Sequence, residues 1–235
     1  MPEGNQPTFQ PPPSSQDQVS GVPFDAAEPL ADLKARFDAA DRKPGNRDPS
    51  RCKALLRLPD GTIFWSAKLA IDADGPAAGP GRRRGSELDP DSGKDHTSYH
   101  YPGTHQDLAS EVVPYLVMPG GPFAAATGLA LGDVAVVIYR GKRAAAVFGD
   151  VGPTAKIGEG SIRLHEALHP PAPDPCAERD DQGFCRRIRN ASIGEDVLCF
   201  VFPGSGFPDG LDQSTIEARV TARASALYDR LRGSA

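Results

Sequence analysis

Long apolar stretches are missing from this chain. The best run, Val134 to Tyr139, is closed by Asp133 and Arg140, well short of the ~18 residues that cross a bilayer as a helix. No membrane span is expected. An excess of basic charge is also missing: 26 Lys and Arg stand against 31 Asp and Glu, for a net charge of −5. A phosphate backbone is a poor partner for that balance, so nucleic acid is not expected either. Cysteine is scarce. Cys52, Cys176, Cys185 and Cys199 contain no C-x-x-C pair, which removes zinc-ribbon and thioredoxin-type readings. Cys176 and Cys185 flank a polar loop, and closing it as a disulfide would add ~2–3 kcal/mol in the chain-entropy picture; free buried thiols are the alternative. Residues 1–21 hold neither a basic n-region nor an apolar h-region, so no secretory leader is visible there. A secreted or periplasmic location is nonetheless the expectation.

Glycine and proline are plentiful, 25 and 24 of 235 residues, which favours many turns and short strands over a helical bundle. Residues 1–24 combine Pro7, Pro11, Pro12, Pro13 and Pro23 with Ser, Gln and Asn, and read as a flexible arm ahead of one catalytic domain over 25–235. A short helix is expected to open on Pro29 and carry Leu30, Leu33 and Phe37 on one face. From Cys52 the period changes to two. Ala54 to Leu58 leads through Pro59-Asp60-Gly61 into a run with Ile63, Trp65, Ala67, Leu69 and Ile71 on one face, a hairpin pattern. Further strands are expected at Val112 to Met118, Asp133 to Tyr139, Ala144 to Phe148 and Val197 to Phe202. A last helix would begin on a Ser214/Glu217 capping box and present Ile216, Val220, Leu227 and Leu231 to the core. The fold class is therefore mainly β with a few flanking helices.

Chemistry concentrates in Gly149-Asp150-Val151-Gly152-Pro153 and Lys156-Ile157-Gly158-Glu159-Gly160-Ser161. Two carboxylates sit in a glycine-dense loop after an apolar strand, where backbone can approach a ligand closely. Fully extended, nine residues separate them by ~30 Å, but the glycines let the chain return. A separation of ~6.5–9.5 Å would suit an inverting glycosidase. The plainer reading is a corner in which Asp150 caps a turn and Glu159 is solvated.

The blocks Lys68 to Gly75, Glu111 to Gly121, Leu131 to Leu168 and Cys199 to Gly206, in that order, resemble the chitosanases of glycoside hydrolase family 75. The resemblance implies an inverting endo-hydrolase on a six-stranded double-psi β-barrel, with Asp150 and Glu159 catalytic and no cofactor. Aspartate's lower ordinary pKa favours Asp150 as base and Glu159 as acid. The dipole of a following helix, Ile162 to Leu168, favours the reverse. Asp72 and Asp74 match a block whose acidic side chains line the glycan cleft, and Thr97, Ser98 and Tyr99 are candidate sugar contacts. The expected partner is a polysaccharide, chitosan or a peptidoglycan-type glycan, bound by a monomer.

Other patterns compete. Asp72 and Asp74 alone make too few ligands for a calcium loop, and no metal site is expected. His165-Glu166-Ala167-Leu168-His169 reads H-E-x-x-H, with Glu178 or Glu195 as a third zinc ligand, although Pro170 and Pro171 end the helix at once. His96, His100 and His105 read as exposed loop residues, and Asp89, Asp91 and Asp95 as a solvated cluster. Arg82-Arg83-Arg84 would repel a polyamine if they faced the cleft, whereas an N-acetylated glycan or peptidoglycan would tolerate them. A glycan-binding module without turnover is the non-enzymatic alternative.

Overall fold

The structure, a computed structural model, describes residues 9–189 and 192–233. Its strands are β1 (Glu28–Pro29), β2 (Ala54–Arg57), β3 (Ile63–Asp72), β4 (Tyr115–Pro119), β5 (Val134–Tyr139), β6 (Lys142–Gly152), β7 (Glu159–Ser161), β8 (Cys176–Arg179), β9 (Cys185–Ile188) and β10 (Ile193–Val201). The helices are α1 (Gln16–Val19), α2 (Ala31–Asp41), α3 (Gly85–Leu88), α4 (Phe123–Thr127), α5 (Ile162–Leu168) and α6 (Ile216–Gly233). In the main sheet the strands run β1-β2-β3-β10-β5-β6-β4-β7, and a second pairing of β3 with β7 closes six of them into a barrel. Closure leaves β1 and β2 outside, on the first half of β3. Two pairs, β3 with β7 and β4 with β6, are parallel. The fold expected from the sequence, a β-barrel core with flanking helices, is the fold observed.

Alternation along β3 explains why nearly all of it is buried. Ile63, Trp65, Ala67 and Leu69 enter one core, where Trp65 stacks on Phe148, while Phe64 enters a second. A strand with apolar residues on both sides needs cover on both. The second core gets it from α6, through Ile216, Val220, Ala224, Tyr228 and Leu231.

The N-terminal segment adds to that cover, so over the described residues 9–24 the expected flexibility is not found. Phe9 and Phe24 pack against Phe64 at ring separations of 4.9 Å each. The Tyr228 hydroxyl donates to the Gln18 carbonyl, and Arg232 Nε to that of Ser20, both at 2.8 Å. Average composition missed this because a few aromatic anchors, not overall polarity, decide docking. Residues 1–8 lie outside the described residues.

Three smaller expectations are also corrected. Pro29 lies in β1 opposite Leu56, at a sheet edge where a missing N–H costs little, and α2 starts at Ala31. The fourth strand begins at Tyr115 rather than Val112. The capping box does not form: the Asp212 carboxylate accepts the Ser214 and Thr215 amides at 2.9 and 3.1 Å, and Glu217 pairs with Arg163 instead. Cys176 and Cys185 are joined in a disulfide across the β8–β9 hairpin, while Cys52 and Cys199 are free and buried.

Candidate active site

Asp150 lies on β6 opposite Val117 of β4, and Glu159 opens β7 opposite Ala70 of β3. Since β4 lies between β6 and β7, the barrel wall brings the two acidic residues to strands that flank a common neighbour. Glycines make the return possible. Gly149 is the extra residue where the register steps from Leu116–Phe148 to Val117–Asp150, and a Cβ there would fall 2.6 Å from a Leu108 methyl and 2.8 Å from the Tyr115 Cβ. This bulge re-aims Asp150. Gly158, at φ +86°, lies so close to β3 that a Cβ would stand 2.1 Å from the Lys68 carbonyl oxygen.

A Cβ on Gly152 would point at Glu159 Oε2, 3.1 Å away. Asp150 precedes Gly152 by two residues on a regular stretch of β6, so both project to one face, one strand repeat of ~7 Å apart. Asp150 is thereby directed to the side of the sheet on which Glu159 lies.

Each carboxylate has its own surroundings. Asp150 is buried, and its Oδ1 accepts the Ser98 amide at 2.8 Å and the Ser98 hydroxyl at 2.5 Å. The same hydroxyl accepts the Val151 amide at 3.2 Å, so Ser98 is locked on its acid. Oxygens of Asp72, Asp74 and Asp150 lie within 4.8 Å of one another, the one group among the described residues able to converge on a cation. Crowding has a cost. Burial, then the Asp74 charge, pushes Asp72 well above the ordinary carboxylate range. Burial, then the charge of Asp150, lifts Asp74 to about 6 against amide and Lys94 contacts that pull it down.

Glu159 faces a cation. Lys156 Nζ is 2.6 Å from Glu159 Oε1 and 2.7 Å from Asp48 Oδ2, and the other Asp48 oxygen pairs with the buried Lys68. Burial pushes Asp48 up, but hydrogen bonds from Lys156 and Lys68 outweigh it and hold that carboxyl low. Burial depresses the Lys68 ammonium. Beside this chain of charges runs a groove of about 600 Å³, lined by Glu159, by Ala70 and Ile71 of β3, by residues 88–92, and by Arg187 and Arg189 of the disulfide-bonded hairpin segment.

The sequence pattern of the fungal chitosanases of glycosyl hydrolase group 75 matches residues 69–231. The chain belongs to this family. It is a glycoside hydrolase of the chitosanase type, and the matched span carries both acidic residues, the Asp72–Asp74 pair and the barrel strands from β4 to β10. A search of the curated proteins finds no match.

Within this chitosanase-type enzyme, several expected site residues have other tasks. Thr97 is buried, its hydroxyl donating to the Tyr99 carbonyl and accepting the Leu108 amide, so it shapes the loop rather than meeting a sugar. Tyr99 packs over Gly132 and edge-on to Tyr101. The zinc reading fails on geometry. His165 is fully buried with its ring nitrogens on the Ser161 and Leu69 carbonyls, 3.0 and 3.2 Å away, and Glu166 is ion-paired to Arg163 and Arg179. Glu178 lies on the exposed face of β8, and Glu195 pairs with Lys53. Neither reaches the two histidines as a third ligand.

Two of the three arginines in the triplet are neutralised locally. Arg82 lies over the Phe184 ring and pairs with Glu111, while Arg84 pairs with Glu87 and Asp95. Asp89 and Asp91, expected in solvent, line the groove beside Glu159. The Cys199–Gly206 block is structural: Asp133 accepts the Gly206 amide at 3.1 Å, and Ser205 Oγ accepts that of Val134 at 2.8 Å.

The contacts of Ser98 lead to a direct test. Ser98→Ala removes one of two bonds to Asp150 Oδ1, and hydrogen bonds to charged groups are worth ~1.5–3 kcal/mol. Steady-state kinetics should show kcat falling roughly ten- to a hundredfold with KM nearly unchanged, and Ser98→Thr should restore most of it. A change confined to KM would return Ser98 to sugar binding.

Proposed function

We propose that this chitosanase-type enzyme is an inverting endo-hydrolase of β-1,4 links in chitosan or a related amino-sugar polymer, with Glu159 as general acid and Asp150 as general base. The carrying observation is that Asp150 projects from the same face of β6 as Gly152, whose Cβ direction meets Glu159 Oε2 at 3.1 Å, with a groove beside Glu159. Inversion calls for ~6.5–9.5 Å between the two carboxyls, room for a water between sugar and base. Glu159 gives its proton to the glycosidic oxygen as the C1–O bond breaks. Asp150 takes a proton from a water whose oxygen bonds to C1 from the opposite face. Asp72 and Asp74 offer their charge to the ammonium of a glucosamine unit, which in turn relieves their repulsion. Ser98 orients Asp150.

One observation favours the exchanged assignment. The Lys156 ammonium pairs with Glu159, an arrangement that suits a resident anion and therefore a base. The two readings separate by rescue. If Asp150 is the base, azide restores turnover to Asp150→Ala and gives a glycosyl azide of inverted configuration; if Glu159 is, azide rescues Glu159→Ala instead.

The two parallel strand pairs support a double-psi reading of the barrel. In this reading residues 25–235 act as one catalytic domain, a monomer, with the N-terminal segment strapped to it. The disulfide fits export to a secreted or periplasmic setting. The test is digestion of chitosan, chitin oligomers and peptidoglycan, followed by mass spectrometry and by NMR of the fresh anomer. New reducing ends of α configuration from a β-linked amino-sugar polymer are expected. Retention would overturn inversion, and binding without new ends would leave a glycan-binding module.

A further inference from the structure

Asp150 is held by a segment that belongs to no strand of the barrel. Ser98 lies 52 residues earlier in the chain, yet its amide and its hydroxyl both donate to Asp150 Oδ1, and the hydroxyl also accepts the Val151 amide. What fixes Ser98 is a finger formed by residues 97–108. At its base the Thr97 hydroxyl accepts the Leu108 amide at 3.0 Å; further out the Tyr101 amide donates to the Gln106 carbonyl at 2.9 Å, and the tip turns back where the Thr104 amide donates to the Tyr101 carbonyl at 3.0 Å. Both ends of the finger rest on the bulge beside Asp150. The Tyr99 amide donates to the Gly149 carbonyl at 3.0 Å, and a Cβ on Gly149 would fall 2.6 Å from a Leu108 methyl. One bond between side chains joins the two arms. His100 and Asp107 face each other in an antiparallel bridge, and His100 Nδ1 meets Asp107 Oδ1 in a close contact; a carboxylate only accepts, so the ring donates.

We propose that the His100–Asp107 pair is the latch of this finger: it fixes the register in which Ser98 grips Asp150, which makes His100 and Asp107 positioning residues for the hydrolysis. The proposal rests on the reading above in which Asp150 is one of the two reacting carboxyls, in either role. The latch joins the residue two beyond Ser98 to the residue just before Leu108, close to the two ends that touch the bulge, so a slip between the arms moves Ser98 relative to Gly149 and Asp150. Both hydrogen bonds that the Asp150 side chain accepts among the described residues come from Ser98, and a displaced finger leaves it none. The latch is also remote from the groove beside Glu159, which no residue of 97–108 lines, and the His100 side chain is 59% exposed. An exposed pair adds little to global stability, whereas a displacement of ~1 Å at a reacting group costs up to about a hundredfold in rate. The pair therefore acts on geometry more than on folding.

The experiment measures steady-state kinetics on chitosan and melting temperature for His100→Ala and Asp107→Ala, each alone and combined with Ser98→Ala. Either single change should lower kcat about tenfold, no further than Ser98→Ala does, with KM and melting temperature nearly native. Because the latch acts through Ser98, adding either change to Ser98→Ala should cost less than about twofold more. His100→Asn, whose amide nitrogen stands near the place of Nδ1 and still donates to Asp107, should restore most of the rate. Native kcat in both single variants, losses that multiply with that of Ser98→Ala, a change confined to KM, or a rate loss matched by a fall in melting temperature would overturn the latch while leaving the hydrolase intact. Full activity in Asp150→Asn, or no cleavage of any amino-sugar polymer by the native enzyme, would overturn the reading of the site on which the latch depends.

Discussion

In Asp150→Asn and in Glu159→Gln, hydrolysis of chitosan is expected to fall by about three orders of magnitude or more, the loss that follows from removing a positioned proton donor or acceptor. Each change keeps side-chain shape, so the barrel should fold. The two variants should differ in stability in a way that only this geometry predicts. Asp150→Asn removes one charge from the crowd that holds Asp72 up and brings Asp74 to about 6. The sign follows from linkage. A carboxyl whose folded pKa lies above the ordinary 3.8 binds its proton more tightly when folded, so its ionisation costs stability as pH climbs past that ordinary value, and the cost is complete above about 6. Asp150→Asn should therefore melt higher than the native protein at pH 7, and the gain should shrink by pH 4. Glu159→Gln loses a partly exposed ion pair with Lys156, worth at most ~1 kcal/mol, against which stands only the smallest of the charge contributions that raise Asp72, and should melt near the native temperature. Calorimetry at the two pH values decides this. A less stable Asp150→Asn at pH 7 would mean that the three aspartates do not repel as described.

The second large effect falls on a residue outside the proposed acid–base pair. Asp48→Ala should cost about 3 kcal/mol in urea unfolding, because it leaves the Lys68 ammonium buried without its counter-ion, and breaking a buried pair from one side typically costs ~3–5 kcal/mol. The lower figure applies since the Asp48 side chain is itself 44% exposed while that of Lys68 is 2% exposed. Lys68→Met in the same chain should recover most of the loss, since a thioether of similar length fills the site without a charge to solvate. Activity should separate from stability. Lys156 loses one of its two anions in Asp48→Ala and rests on Glu159 alone, so the pH profile of kcat should move even in the restabilised double variant. A double variant with native stability and a native pH profile would reduce Asp48 to a packing partner.

Sequence pattern was most informative where local and long-range demands agree. The hairpin of β2 and β3, the β5–β6 pair, β10, α5 and α6 all followed from apolar spacing and turn residues. Asp150 and Glu159 stood out because glycine is scarce in ordinary strand interiors, and here Gly149 and Gly158 mark close backbone approaches. Asp48 and Lys156 were missed. Asp48 lies in an unstructured stretch twenty residues before its partner, and nothing local links the two. A signal did exist on the other side: Lys68 interrupts an otherwise apolar run from Ile63 to Ile71, and a lysine on a doubly covered strand needs an anion. Phe9 and Phe24 were lost in a proline-rich average, although two phenylalanines in a polar segment are the residues that find a groove. The H-E-x-x-H pattern misled because it specifies spacing but not which helix face is buried, and α5 turns His165 inward.

The Cys176–Cys185 bond closes the hairpin that carries Arg187 and leads to Arg189. Neither Asp150 nor Glu159 lies on that hairpin. Chain folded under reducing conditions would thus keep Asp150 and Glu159 on the barrel strands while one bank of the neighbouring channel slackened. Oxidation would then shape that channel more than the barrel wall itself, so the redox history of a preparation belongs beside its cleavage pattern.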